Sequence, residues 1–112
     1  MDIKFLTEKY FEKWNDHNSK KISDLFSNNS LLRDWTIEVR GRKNIKEELC
    51  NVFRKFPDIK CEILRIHTSN LTNISVSEIL VHINKEKKTL KVVDIIEFDQ
   101  GGNIISLKAF LG

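Results

Sequence analysis

Apolar residues recur at helical steps through much of the first half of the chain and gather into Ile- and Val-rich runs in the second. Ile3, Leu6, Tyr10 and Trp14 mark one face of a first helix over residues 3–17, with Asp2 placed to cap its start. "DHNSKK" breaks that helix, and Asn18 or Ser19 opens a short second one running to Phe26. "SNN" (27–29) reads as a turn, and "SLLRDW" and "TIEVR" as short strands. Gly41 interrupts the chain before a third helix, about 43–55. There Ile45, Leu49, Val52, Phe53 and Phe56 keep helical spacing until Pro57 ends it.

The remainder predicts four strands: "IKCEILRIHT", "ISVSEILVHIN", "TLKVVDIIEFD" and "IISLKAFL". Their links, "SNLTN", "KEKK" and "QGGN", are too short for parallel crossovers and predict antiparallel hairpins. Helices gathered early and strands late imply an α+β fold, with helices on one face of a curved sheet. In the strand at 89–99, Leu90, Val92, Asp94, Ile96 and Phe98 point one way; Lys91, Val93, Ile95 and Glu97 point the other. The Asp94 face is the more apolar and is assigned to the helices. The Val93 and Ile95 face is too apolar for open water, which predicts a partner subunit there.

Composition narrows the function classes. With 112 residues, 40% hydrophobic and 31% charged, the chain is expected to form one globular domain spanning 1–112. No apolar run approaches the roughly 20 residues of a membrane span. The opening "MDIKFLTEKYFEKW" mixes acids with lysines, unlike a secretory or transit peptide, so a cytoplasmic protein without a membrane partner is expected. Net charge is +3, and the tightest basic group, "NKEKKTLK", contains a glutamate; it reads as a solvated hairpin and not as a nucleic-acid stripe. Cys50 and Cys61 lack metal-ligand spacing and read as buried free thiols.

Three polar residues stand out by position: Tyr10 on the apolar face of the first helix, Asp34 in the first strand between Arg33 and Trp35, and Asp94 in the core strand. Brought together in one pocket, two carboxyls and a phenol form a proton-transfer apparatus. One ionised carboxylate takes a proton, while a protonated acid and the phenol donate to a developing oxyanion. Each residue also has a structural reading. Tyr10 suits a core aromatic whose hydroxyl reaches the surface. Asp34 suits a pair with Arg33 or Arg40, or a turn cap. Asp94 suits a backbone partner at a bulge or a nearby base. His17, His67 and His82 have no ligand partner at suitable spacing, so no metal or other cofactor is expected. No phosphate-cradling glycine loop and no nucleophile elbow is present.

The motifs "LRDW…VRGRKNI" and "LKVVDIIEFDQGGNIISLKAFL", with a first helix ending "W-N-x-H-N", resemble the nuclear-transport-factor-2-like superfamily over nearly the whole chain. The nearest groups are SnoaL-like polyketide cyclases and ketosteroid isomerases. The resemblance implies a cone: three N-terminal helices packed on a strongly curved, mixed, mostly antiparallel sheet that encloses a pocket. It implies Asp34 as general base, with Tyr10 and Asp94 as oxyanion donors; the neutral carboxylic acid of ketosteroid isomerase is the known precedent for Asp94. Trp14, Trp35, Ile79, Ile96, Phe98 and Leu107 would line the pocket. Positions of two supporting tyrosines in the bacterial steroid isomerase correspond to Phe26 and Leu49, and Trp35 replaces a proline.

The expected function is cofactor-independent isomerase or cyclase chemistry on a small hydrophobic carbonyl compound. The alternative is a non-catalytic binding, dimerisation or protein-interaction module on the same fold. A homodimer through Val93 and Ile95 is expected for the enzyme and for the non-catalytic binding or dimerisation module alike.

Overall fold

A computed structural model describes residues 1–112 and places them in three α-helices, one 3-10 turn and six strands. Helix α1 (Ile3–Asn15) begins where Asp2 accepts a 2.9 Å hydrogen bond from the Phe5 amide. Its buried stripe is Ile3, Thr7, Tyr10 and Phe11, with Leu6 and Trp14 flanking it, so the covered face is centred beside the one expected. Helix α2 (Ser19–Asp24) is capped by Asn18 and stops two residues before Phe26, which opens strand β1 (Phe26–Arg33). Strand β2 (Glu38–Arg40) leads through Gly41, at φ 94°, into α3 (Arg42–Lys55). That positive φ is readily open to glycine alone, and it turns the chain directly from strand into helix.

Strands β3 (Ile59–Ser69), β4 (Ile74–Ile83), β5 (Lys88–Phe98) and β6 (Ile104–Leu111) form the expected antiparallel meander. The sheet order is β2-β1-β6-β5-β4-β3, with β1 parallel to β6 and every other pair antiparallel. The sheet is mixed and open, with β2 and β3 at its edges. Helix α1 packs on β3 and β4, α3 packs on β1 and β2, and α2 packs on α3. The result is the α+β cone implied by the resemblance, with one sheet face turned toward the helices.

Two readings of the first half change. Residues 27–29 are not a turn but part of β1. Their asparagines are exposed, and the strand's register against β6 shifts between Phe26 and Leu31. Polar residues on an irregular strand imitate a turn in sequence; pairing with a strand some 75 positions later overrides the local preference. Asp34 and Trp35 lie beyond the end of β1, in the turn to β2, and not in a strand.

The parity of β5 is as predicted. Val92, Asp94, Ile96 and Phe98 are buried on the helix side, while Lys91 and Glu97 are exposed on the other. Val93 and Ile95 are half-buried on that outer face, beside Val76 and Phe110 of the neighbouring strands. No helix is long and apolar enough to cross a membrane.

Candidate functional site

A cavity of about 360 Å³ opens between the helices and the inner sheet face. Tyr10, Phe11 and Trp14 of α1 form one wall, and Leu49 and Val52 of α3, with Phe56 just past its end, form another. The sheet contributes Cys61, Ile79, Val81, Val92, Asp94, Leu107 and Ala109 among others, and the β1–β2 turn contributes Asp34 to Ile37. Glu48, Lys55, Glu86 and Lys88 supply the remaining charges. The volume is at the lower end of the range for small-molecule sites, and the lining is mainly apolar with few polar groups, as such sites usually are.

Local anchors position the walls. The end of α1 is fastened to β3 by the Asn15 side chain, whose Nδ2 donates to the Cys61 carbonyl (2.9 Å) while its Oδ1 accepts from the Cys61 amide (2.7 Å). The His17 ring stacks on Phe53 with centroids 4.3 Å apart, and its Nε2 lies 2.6 Å from the Ile59 carbonyl oxygen. His17, a residue of the helix-breaking "DHNSKK", therefore ties three elements together. The Arg42 guanidinium grips the Phe26 carbonyl through Nε and Nη2, at 3.0 and 2.7 Å, and so holds α3 against β1.

All three polar residues singled out in the sequence face this cavity. Asp94 is only 5% exposed, and its carboxyl makes no hydrogen bond to the protein. Burial, and then the charge of Asp34, push its pKa up to about 7. Removing a carboxylate from water without donors favours the neutral acid. Tyr10 is 3% exposed, and its hydroxyl likewise has no protein partner. Burial holds its pKa well above the ordinary phenol value, reinforced by the Asp94 and Cys61 charges. Tyr10 therefore keeps its proton at neutral pH, and Asp94 keeps its own below about pH 7.

Asp34 is held differently. Its Oδ1 accepts from the Thr36 amide (2.7 Å), the Thr36 hydroxyl (2.9 Å) and the Ile37 amide (2.9 Å), and its own amide donates to the Ile37 carbonyl (3.0 Å). This is an Asx turn, which leaves Oδ2 without a protein partner. No ion pair to Arg33 or Arg40 forms; Asp34 caps a turn and borders the cavity at once. Its charge near Asp94 is one cause of the Asp94 shift, which places the two acids in one electrostatic unit.

Trp14, Trp35, Ile79 and Leu107 line the cavity, but Ile96 and Phe98 do not. They share the parity of Asp94 yet are sealed in solid core, at 0% and 3% exposure. Parity assigns a face; where along that face the helices leave a gap is set by packing. Trp35 borders the cavity from an exposed turn and does not fill it. Val92, two residues before Asp94, and Ala109, opposite it on β6, also line the cavity, and the alternation of β5 already puts Val92 on that face. Cys61 is half-buried, its side chain lines the cavity, and burial followed by the Asp94 charge raises its pKa, so it is an unreactive wall thiol.

The sequence matches the profile of the SnoaL-like domain over residues 7–107. This chain belongs to the SnoaL-like family. No curated protein matches its sequence. Among solved structures, this SnoaL-like chain is similar to a protein of unknown function with a cystatin-like fold from Methylobium petroleophilum PM1. They share 16% identity, cover 98% of this chain and 75% of the other, and superpose with a TM-score of 0.87. It is also similar to SalBIII, an epoxide hydrolase/cyclase-like enzyme in pyran ring formation in the polyether salinomycin, at 18% identity, 98% and 90% coverage and a TM-score of 0.83. A SnoaL-like protein of unknown function from Burkholderia thailandensis E264 matches at 12% identity, 97% and 93% coverage and a TM-score of 0.85. At these identities the likeness shows the nuclear-transport-factor-2-like, cystatin-like fold; the chemistry rests on the residues.

Proposed function

We propose that this SnoaL-like domain binds a small hydrophobic carbonyl compound and acts on it by isomerase- or cyclase-type acid–base chemistry. The observation that carries the reading is an apolar cavity holding two carboxyls and a phenol, with the Asp94 carboxyl and the Tyr10 hydroxyl unpartnered by the protein. In this scheme Oδ2 of Asp34 removes a proton from carbon next to the carbonyl. The C–H electron pair moves into a new C=C bond, and the carbonyl π pair moves onto oxygen. Tyr10 and protonated Asp94 donate hydrogen bonds to that oxygen, and Asp34 returns its proton at the same or a conjugated carbon. SalBIII, which shares the fold, is an epoxide hydrolase/cyclase-like enzyme in pyran ring formation, so this fold accommodates cyclase-type chemistry.

Deuterium exchange into simple hydrophobic ketones in D2O tests the base directly. Asp34→Asn preserves the Asx turn, because asparagine keeps a side-chain oxygen at the same place. The wild-type chain should accelerate exchange, and Asp34→Asn should lose roughly 10²–10⁴-fold of that acceleration. Binding without exchange in the wild type would mark a non-catalytic binding module instead.

The outer sheet face supports a second element of the reading, a homodimer centred on Val93 and Ile95. Val76 and Phe110 extend that patch on the two adjoining strands. Light scattering should report a dimer for the wild type and a monomer for Val93→Glu. A monomeric wild type would remove the dimer.

A further inference from the structure

Beside Asp94, on the neighbouring strand, lies a hydroxyl with no partner. Ser77 sits opposite Asp94 in the β4–β5 ladder, on the same inner face, and is 0% exposed. Its Oγ makes no hydrogen bond. The neighbouring serine on that face is treated differently: the Ser75 and Thr7 hydroxyls bond each other at 2.8 Å, and Thr7 donates to the Ile3 carbonyl at 2.8 Å. The crossing of α1 over β4 thus satisfies one hydroxyl and leaves the other bare. A buried hydroxyl without a partner is a standing cost, so its retention beside a titratable acid calls for an account.

Directly opposed side chains on an antiparallel pair have Cβ atoms about 4.5–5.5 Å apart. Rotation of a serine about χ1 and of an aspartate carboxyl closes that gap to a hydrogen bond. We infer that Ser77 is a positioning residue for Asp94, whose hydroxyl turns to donate to the carboxylate when Asp94 gives up its proton. The protonated acid directs its O–H into the cavity and has no need of Ser77. The carboxylate needs donors, and its other neighbours supply few. Tyr10 faces it from α1, Asp34 from the β1–β2 turn, Cys61 from β3, and Ala109 opposes it on β6 without a side-chain polar atom. Glu48 and Lys55 on α3, Glu86 on the 3-10 turn and Lys88 at the start of β5 are the other charges bordering the cavity. Ser77 does not itself line the cavity, so it reaches Asp94 from the neighbouring strand without competing with a bound molecule.

The use of this switch in turnover rests on the acid–base reading; its existence does not. Carboxyl-detected NMR titration of the full chain measures it without a substrate. Ser77→Ala should make Asp94 bind its proton about tenfold more tightly, the effect of removing a hydrogen bond to a charged group. Ser77→Thr, which restores the hydroxyl, should return the midpoint to the wild-type value. Equal midpoints for the wild type and Ser77→Ala overturn the inference. Should Ser77→Ala lose the native fold, the wild type still decides: the Ser77 Cβ resonance should follow the Asp94 midpoint and stay flat in Asp94→Asn. A flat Ser77 resonance in the wild type overturns it equally. Absence of ketone exchange would sink the catalytic reading while leaving this titration to stand on its own.

Discussion

One face of strand β5 meets two different environments within seven residues. At Val92 and Asp94 it borders a cavity, and the polar atoms of Asp94, Tyr10 and Ser77 lack protein partners. At Ile96 and Phe98 it is solid core, and the polar groups nearby are paired, as in the Thr7–Ser75 bond. The same alternation, the same strand and the same burial thus serve cohesion at one end and chemistry at the other. The unpaired acid and phenol stand where a ligand would supply the pairing, and stability is drawn from the packed end.

The comparison is sharpest at Phe98. Truncation there removes a fully packed ring, so Phe98→Ala should cost about 3–5 kcal/mol in chemical denaturation. A loss below about 1 kcal/mol would mean that the far end is as loosely filled as the cavity.

Asp94 should show the opposite behaviour, a native side chain that weakens the fold as it ionises. Its folded pKa of about 7 lies above the ordinary carboxyl value of 3.8. Between those two values the native state keeps a proton that the unfolded chain has released. Its contribution is therefore complete below about pH 4 and is lost as pH rises through about 7, a fall of up to roughly 4 kcal/mol. Asp94→Asn should flatten that slope relative to the wild type. Parallel pH profiles for the two proteins would show that Asp94 is satisfied in the native state and that the ends of β5 are alike.

Much of this was readable in the sequence because it is local. Caps at Asp2 and Asn18, the break at Gly41, the stop at Pro57 and the alternation of β5 each act within a few residues. Asp94 and Tyr10 were legible for a related reason: a carboxylate in an apolar run, or a phenol on an apolar helix face, is conspicuous. What escaped reading is long-range. Residues 27–29 become strand only through β6, and Ile96 and Phe98 are removed from the cavity only by what packs over them. Asp34 displays turn chemistry in "DWTI", yet only the folded chain shows that the turn also borders the pocket.

Strand order carries a consequence for how the site comes into being. Asp34 follows β1 and Asp94 lies on β5, and between those strands sits β6, the last strand in the chain. The two acids cannot take up their native spacing until residues 104–111 have slotted into that gap. Contacts this distant in sequence close slowly, and until they close, β1 and β5 each present an unpaired edge. A half-folded chain would hold its core strands but no acid pair, and β6 amides should be the last of the sheet to gain protection in pulsed hydrogen exchange. The pocket is thus a checkpoint of completion: ligand binding would select chains whose final strand is in place.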